Sequence, residues 1–148
     1  MRLYLAARWG RKREMAEITS ELASMGVQTT SHWVDEPKMD QKEDGSYSSG
    51  SWSPSPGVAR LVATKDLVAI CNSDALILFN DTSRAGYTGG RNVEFGIAVA
   101  SDMPTIVVGP RTNPFHYVAS AWFEDKDAFL LSIRDSATLM ELIDHGNG

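Results

Sequence analysis

The chain has 148 residues, 43% of them hydrophobic, which is typical of one globular domain with a sizeable core. Its formal net charge is −5 and no basic patch is visible, which argues against a protein that binds duplex nucleic acid. No apolar run approaches the ~20 residues that span a bilayer, and no signal peptide is visible, so the predicted location is the cytoplasm. The single cysteine, Cys71, excludes an internal disulfide, and its apolar neighbours predict a buried position.

Apolar runs predict alternating strands and helices in the first part of the chain. They are a strand over 2–7, a loop over 8–11, a helix over 12–25 that Gly26 ends, and a strand over 27–33. Residues 35–57 are mostly polar or small and predict a flexible loop. Its two aromatics, Tyr47 and Trp52, either stack on a planar ligand or are incidental to a mobile surface loop.

The second part of the chain continues the alternation. Its elements are a helix over 58–72, strands over 75–79 and 105–108, a helix over 91–101, a strand over 118–123, and a helix from 125 with a break near 135–136. This order predicts a single domain over 1–148, an α/β fold with an open parallel sheet and helices on both faces. Ligands of such sheets bind beyond the carboxyl ends of the strands, which here means the loops 8–11, 33–57, 80–90 and 109–117.

A glycine loop, Gly89-Gly90, opens the helix that carries Glu94. Glycines allow close approach of a ligand, and the N–H groups of a new helix attract anions. Glu94 is then either beside a bound ligand or simply a glutamate that the helix dipole favours. The loop lacks the Lys-Ser/Thr of a Walker motif and the spacing of a dinucleotide fingerprint. No residue cluster has metal-ligand spacing, so neither a cofactor nor a metal is predicted.

Carboxylate chemistry remains, with Glu94 as a nucleophile. Carboxylates act as nucleophiles chiefly where the attacked carbon passes through an oxocarbenium-like state, as in cleavage of an N-glycosidic bond. The leaving base then requires a proton donor. The candidate partners for Glu94 are Asp66, Asp35, Glu36 and Asp81.

Several segments together resemble the nucleoside 2-deoxyribosyltransferase family over most of residues 2–125. They are Tyr4 on the first strand, Trp9 in the loop after it, Lys65-Asp66-Leu67-Val68-Ala69-Ile70, Ser73-Asp74-Ala75-Leu76-Ile77 and Gly90-x-x-x-Glu94-Phe95-Gly96-Ile97-Ala98. The most specific part is the combination of Asp-Leu-x-x-Ile with Gly-x-x-x-Glu-x-Gly. The resemblance implies a flavodoxin-like fold and a covalent 2-deoxyribosyl–carboxylate intermediate.

The resemblance also implies roles for single residues. Glu94 matches the nucleophile, Tyr4 the hydroxyl that orients it, and Asp66 an acidic residue that is placed near the base as a proton donor. An ordinary strand tyrosine and a solvated helix aspartate are the alternatives for the last two. Asn113 and Phe115 resemble a segment that completes the pocket of a neighbouring subunit, although the match requires a deletion, and they imply a homo-oligomer.

One departure from the family concerns the substrate. Six residues before the nucleophile the transferases carry an Asp that holds the sugar hydroxyls, and this chain has Thr88. A hydroxyl beside Gly89, Gly90 and Arg91 would leave room and charge for a 5′-phosphate, as in the related branch that hydrolyses deoxynucleoside 5′-monophosphates. Arg91 is otherwise a solvated first-turn arginine, and Asp81 is an alternative replacement for the missing carboxylate.

The predicted substrate is therefore a 2′-deoxynucleoside 5′-monophosphate, bound by Trp9, Thr88, Gly89, Gly90 and Arg91. The first alternative is exchange of bases between free deoxynucleosides. An alternative of another class is a module that binds a nucleotide without turnover.

Overall fold

The computed structural model describes residues 1–34, 55–83 and 89–148. The predicted flexible loop lies outside these ranges except for its last three residues. Three predicted site residues also lie outside the described residues: Asp35, Glu36 and Thr88.

The described part of the chain contains one sheet of five parallel strands in the order β2-β1-β3-β4-β5. The strands are β1 (Arg2–Ala7), β2 (Gln28–Thr29), β3 (Ala75–Phe79), β4 (Thr105–Val108) and β5 (Ala121–Phe123). Every residue of β3 and β4 is buried, as predicted for central strands that are covered on both faces. The strand order reverses between β1 and β3, because β2 follows β1 on one side and β3 lies on the other. The carboxyl ends of β1 and β3 therefore border the crevice in which ligands of such sheets bind.

Helices cover both faces of the sheet. They are α1 (Lys12–Ser24), α2 (Pro56–Cys71), α3 (Gly90–Ala100), α4 (Lys126–Asp135) and α5 (Leu139–Asn147). An ion pair between Arg134 and Glu21 joins α4 to α1, and α5 packs on α4, whereas α2 and α3 contact each other. The open parallel α/β sheet that the sequence predicts is therefore confirmed, and so is the break before α5, which begins with a capping box at Thr138.

The second strand is shorter than the predicted 27–33. After Thr29 the side chains of Ser31 and Trp33 bond the backbone of Leu5, and these bonds take the place of further ladder bonds. The chain then turns through a short 3-10 helix over His32–Val34. The sequence pattern could not reveal this, because Ser and Trp fit the alternation of a strand equally well.

The starts of the fifth strand and of helix α2 also differ from the prediction. The fifth strand covers Ala121–Phe123 instead of 118–123, because Asn113 caps a 3-10 helix over Pro114–Val118. Helix α2 begins at Pro56 instead of 58, since Ser55 accepts the N-cap bond and proline favours the first helical position.

Helix α2 is apolar along its length but buries little of that surface. Of its residues, Ala69 and Ile70 are buried, whereas large apolar side chains stay exposed: Val58, Leu61, Leu67 and Val68. Cys71 is exposed, so its predicted burial is wrong. It follows Ile70 by about 100° around the helix, which turns it away from the core.

In the described ranges, no helix has the length and apolar character that crossing a membrane requires.

Candidate active site

A buried tyrosine hydroxyl joins two acidic side chains at the sheet. Tyr4 of β1 donates a hydrogen bond of 3.0 Å from Oη to Oε1 of Glu94 on α3. The carboxyl group of Asp66, on α2, lies within hydrogen-bonding reach of the same hydroxyl. The structure thus brings together the three residues to which the sequence assigns the chemistry, from three separate elements.

The fold explains this arrangement. Strand β1 lies between β2 and β3, so Tyr4 is fully buried and its side chain reaches α3, which packs on β1. Glu94 lies one turn from the start of α3. It shares a face of the helix with Ala98, which is buried in the core. Helix α2 contacts α3 and brings Asp66 to the same place.

This environment shifts the acidity of both groups that share the hydrogen bond. Burial and, to a smaller extent, the charge of Asp66 raise the pKa of the Glu94 carboxyl to about 7, although the bond from Tyr4 opposes the shift. Burial, together with the nearby carboxylates, raises the pKa of the Tyr4 phenol well above its usual value. Tyr4 therefore keeps its proton, and Glu94 exchanges a proton near neutral pH.

A second group of charges, which we call the arginine cluster, consists of Arg8, Arg11 and Arg91 around Asp81. Arg8 Nε lies 2.8 Å from Asp81 Oδ2, and Arg91 Nη1 lies 3.4 Å from Oδ1. Arg11 is more distant, at 3.9 Å, and makes its shortest ion-pair contacts with Glu14. Among the described residues, the cluster and Glu14 together have three guanidinium groups and two carboxylates, an excess of one positive charge.

Within the arginine cluster, Asp81 is committed to its partners. Although burial opposes it, the hydrogen bond from Arg8 and the charges of the arginines lower the pKa of Asp81. Its Oδ1 also accepts a bond of 3.1 Å from the backbone N–H of Ser83. Arg91 is 7% exposed, so the interpretation of Arg91 as a solvated first-turn arginine is wrong. The sequence did not indicate a role for Arg8, although Arg8 lies in the loop over 8–11, one of those expected to border the site.

The glycine loop forms the start of α3. Gly89 has φ of 80° and is the N-cap residue, a left-handed conformation that favours glycine. Gly90 and Arg91 follow as the first residues of the helix, where backbone N–H groups have no partner within the helix. The start of α3 and the arginine cluster therefore adjoin each other through Arg91.

The loop after β4 is anchored to α3 by a buried histidine. Nε2 of His116 lies 3.3 Å from Oδ1 of Asn92, and the ring packs edge-on against Phe95. Asn113 Oδ1 accepts a bond from the N–H of Phe115, whose side chain is 68% exposed. An open cavity of about 490 Å³ borders this loop and is lined in part by Asn113.

Trp9 has aromatic and cationic neighbours within the chain. Its ring lies 5.6 Å from that of Trp33, and the ammonium group of Lys12 lies 5.0 Å above it. Its role in substrate binding stays a prediction. In the described ranges, no group of three His, Cys, Asp or Glu side chains is placed to hold a metal ion.

Comparison with known proteins supports the fold. No protein-family model matches the chain, and no curated protein sequence matches it significantly. Among solved structures, it is similar to the 2-deoxyribosyltransferase from the psychrotolerant bacterium Bacillus psychrosaccharolyticus, with a TM-score of 0.69 and 17% identity over 96% of each chain. At this identity the likeness shows the fold, and it confirms the flavodoxin-like α/β fold that the sequence predicts.

Proposed function

We propose that the protein cleaves the N-glycosidic bond of a 2′-deoxynucleoside 5′-monophosphate through a covalent deoxyribosyl–Glu94 intermediate. The observation that carries this proposal is the hydrogen bond from Tyr4 to Glu94, with the carboxyl group of Asp66 within reach of the same hydroxyl. A carboxyl group with a pKa of about 7 is poised to ionise at neutral pH, and a second acidic group stands beside it. The likeness in fold to a 2-deoxyribosyltransferase supports the same chemistry.

The reaction follows from the roles of the three side chains. The Glu94 carboxylate attacks C1′ of the deoxyribose, so that a C1′–O bond forms while the C1′–N bond breaks. Asp66 supplies the proton that the departing base takes up. In the second step an acceptor attacks C1′, the C1′–O bond to Glu94 breaks, and the ionised Asp66 takes up the proton that the acceptor loses. Water as acceptor gives hydrolysis, and a second base gives transfer.

The arginine cluster supports a phosphate on the substrate. Guanidinium groups bind phosphate through paired N–H bonds, and the start of α3 adds backbone N–H groups beside Arg91. Asp81 is engaged by Arg8 and Arg91, which makes it a poor acceptor for a sugar hydroxyl. A 5′-phosphate would meet the excess positive charge of the cluster. Thr88 keeps its predicted role as a hydroxyl donor to that phosphate.

Base exchange between free deoxynucleosides is the second candidate. The observation that favours it is the likeness in fold to a 2-deoxyribosyltransferase. This candidate uses the same attack by Glu94 and differs in the substrate and in the acceptor. Binding of a nucleotide without turnover remains the alternative of another class.

We also propose a homo-oligomer in which Asn113 and Phe115 contribute to the site of a neighbouring subunit. Phe115 is exposed together with two neighbours on the same 3-10 helix, Tyr117 and Val118. Adjacent exposed apolar side chains of this kind are typical of protein–protein contacts.

Product analysis tests the proposed function. We would incubate the protein with the deoxynucleosides and with their 5′-monophosphates, each with and without an acceptor base, and identify the products. We expect free base from the monophosphates, no base release by Glu94→Gln, and unchanged release by the control Glu17→Gln, which changes an exposed helix residue. Products from free nucleosides alone would overturn the phosphate assignment. No base release from any substrate would leave only the binding module.

A further inference from the structure

The proposed function leaves open how the site holds an ionised nucleophile and a protonated acid side by side. Building on that function, we propose that Tyr4 relays a proton from Glu94 to Asp66, so that one event frees the nucleophile and loads the acid. Tyr4 then acts on the reaction itself and does more than orient Glu94. The proposal stands on one contact pattern, a single buried hydroxyl between two carboxyl groups.

Proton counting shows why this pattern is informative. A phenol has one proton to donate, so it cannot donate to Glu94 and Asp66 at the same time. If both carboxyl groups were ionised, one of them would face the lone pairs of the phenol oxygen of Tyr4, which is fully buried. The stable arrangement has one protonated carboxyl group, which donates to Tyr4, and one carboxylate, which accepts from Tyr4. There are two such arrangements, and they differ only in whether Glu94 or Asp66 carries the extra proton.

The relay converts one arrangement into the other. A proton leaves the Glu94 carboxyl for Tyr4 Oη, while the phenolic proton of Tyr4 moves to Asp66. The phenol ends with one proton, as it began, and no charge is created. The products of this step are a Glu94 carboxylate and a neutral Asp66, the pair that attack at C1′ and protonation of the base require. The raised pKa of Tyr4 disfavours a free phenolate, so both protons move together.

The surroundings of Glu94 suit such a shared proton. Among the described residues, Tyr4 faces it from β1 and Asp66 from α2, while β3 and β4, which also pack against α3, have no ionisable side chains. The guanidinium of Arg91 is held in the arginine cluster, and His116 packs against Phe95. Besides burial, Asp66 and Tyr4 are therefore the groups in the described ranges that set the pKa of Glu94.

The variant Tyr4→Phe tests the relay, because it keeps the ring and removes the hydroxyl. We would measure base release and, in parallel, release of p-nitrophenolate from the corresponding 2-deoxyriboside, with the 5′-phosphate if the enzyme requires it. This leaving group departs without a proton. The control Asp66→Asn should lose about 100-fold in base release and keep release of p-nitrophenolate to within about 10-fold. Thermal unfolding confirms that each variant is folded.

Comparison of the two leaving groups across pH separates a relay from simple orientation. In the wild type we expect release of p-nitrophenolate to fall about 10-fold between pH 8 and pH 6, because Glu94 has a pKa of about 7. In Tyr4→Phe this fall should begin at a higher pH, since the bond from Tyr4 lowers the pKa of Glu94, and base release at pH 8.5 should fall about 100-fold more than release of p-nitrophenolate, because Asp66 is not loaded with a proton. An equal loss at every pH and with both leaving groups would show that Tyr4 only orients Glu94, and the relay would be wrong.

Measurements on the wild type alone give a second test that does not depend on variants. In mixtures of H₂O and D₂O, a step in which two protons move together gives a curved dependence of the base-release rate on the deuterium fraction. A linear dependence in a step that shows an isotope effect would contradict the relay. If the wild type releases base but fails these tests, the relay is wrong and the proposed function stands. If the wild type releases no base, the relay and the proposed function are both wrong.

Discussion

Replacing Glu94 by glutamine should make the fold more stable at neutral and alkaline pH. The carboxyl has a pKa raised from an ordinary 4.5 to about 7, chiefly because burial penalises its charged form. Between these two values the folded state binds more protons than the unfolded state, so this group lowers the free energy of unfolding as pH rises from about 4.5 to about 7. Above that range the loss is complete. Below pH 4.5 the group is protonated in both states and contributes nothing.

The size of the effect follows from the shift. A rise from 4.5 to about 7 corresponds to about 3 kcal/mol in full. Because the side chain is partly exposed, we expect a gain of about 1–3 kcal/mol for Glu94→Gln at pH 8 and less than about 0.5 kcal/mol at pH 4. Glutamine keeps an oxygen that accepts the bond from Tyr4, so the comparison isolates the charge.

Urea unfolding at pH 4, 6 and 8 measures this difference between wild type and variant. The difference cancels the contributions of other groups, such as Asp74 and Asp81, whose lowered pKa values make the fold lose stability at acid pH. Glu17→Gln, on the exposed face of α1, is the matched control, because it removes the same charge away from the site. A variant that is no more stable than the wild type at pH 8 would refute the argument that burial opposes ionisation of Glu94.

Three further predictions concern other parts of the molecule. Gly109→Ala should lower the free energy of unfolding by about 2–4 kcal/mol in urea, since φ is 99° and a Cβ would lie 2.5 Å from the carbonyl oxygen of Asn80. Gly26→Ala, with positive φ but open space, should cost about 1 kcal/mol, and equal losses would contradict the clash. Arg91→Gln should raise KM for the 5′-monophosphate about 10- to 100-fold in steady-state kinetics and change kcat/KM for the free nucleoside less than about 3-fold. Equal losses of kcat/KM for the two substrates would count against a phosphate contact. Phe115→Asp should reduce the mass measured by sedimentation to that of a smaller assembly, and an unchanged mass would argue against this contact.

The sequence alone predicts the framework of the fold well. Strands β3 and β4 are nearly continuous apolar runs. This pattern is typical of strands that are buried on both faces. Gly26 and Gly89 mark the end of α1 and the start of α3, where the backbone needs positive φ. Such signals are local, and residues within a few positions of each other are enough to produce them.

The sequence also predicts the residues at the centre of the site, but through resemblance. Asp66 and Tyr4 have unremarkable local settings, a helix and a strand, and nothing in their neighbours indicates that they meet Glu94. The pairing depends on the order of the strands and on the packing of α2 against α3. These are contacts across 90 residues of chain in the case of Tyr4 and Glu94.

Only the tertiary structure determines which side chains are buried and which charges lie close together. Burial of Arg91 against Asp81 could not be read from its position in a first helical turn, because such a residue is usually solvated. The exposure of Cys71 and of the apolar side chains of α2 depends on which face the sheet covers, and an evenly apolar helix does not specify that face. The raised pKa of Glu94 has the same origin, since burial and the charge of Asp66 exist only after the elements have packed.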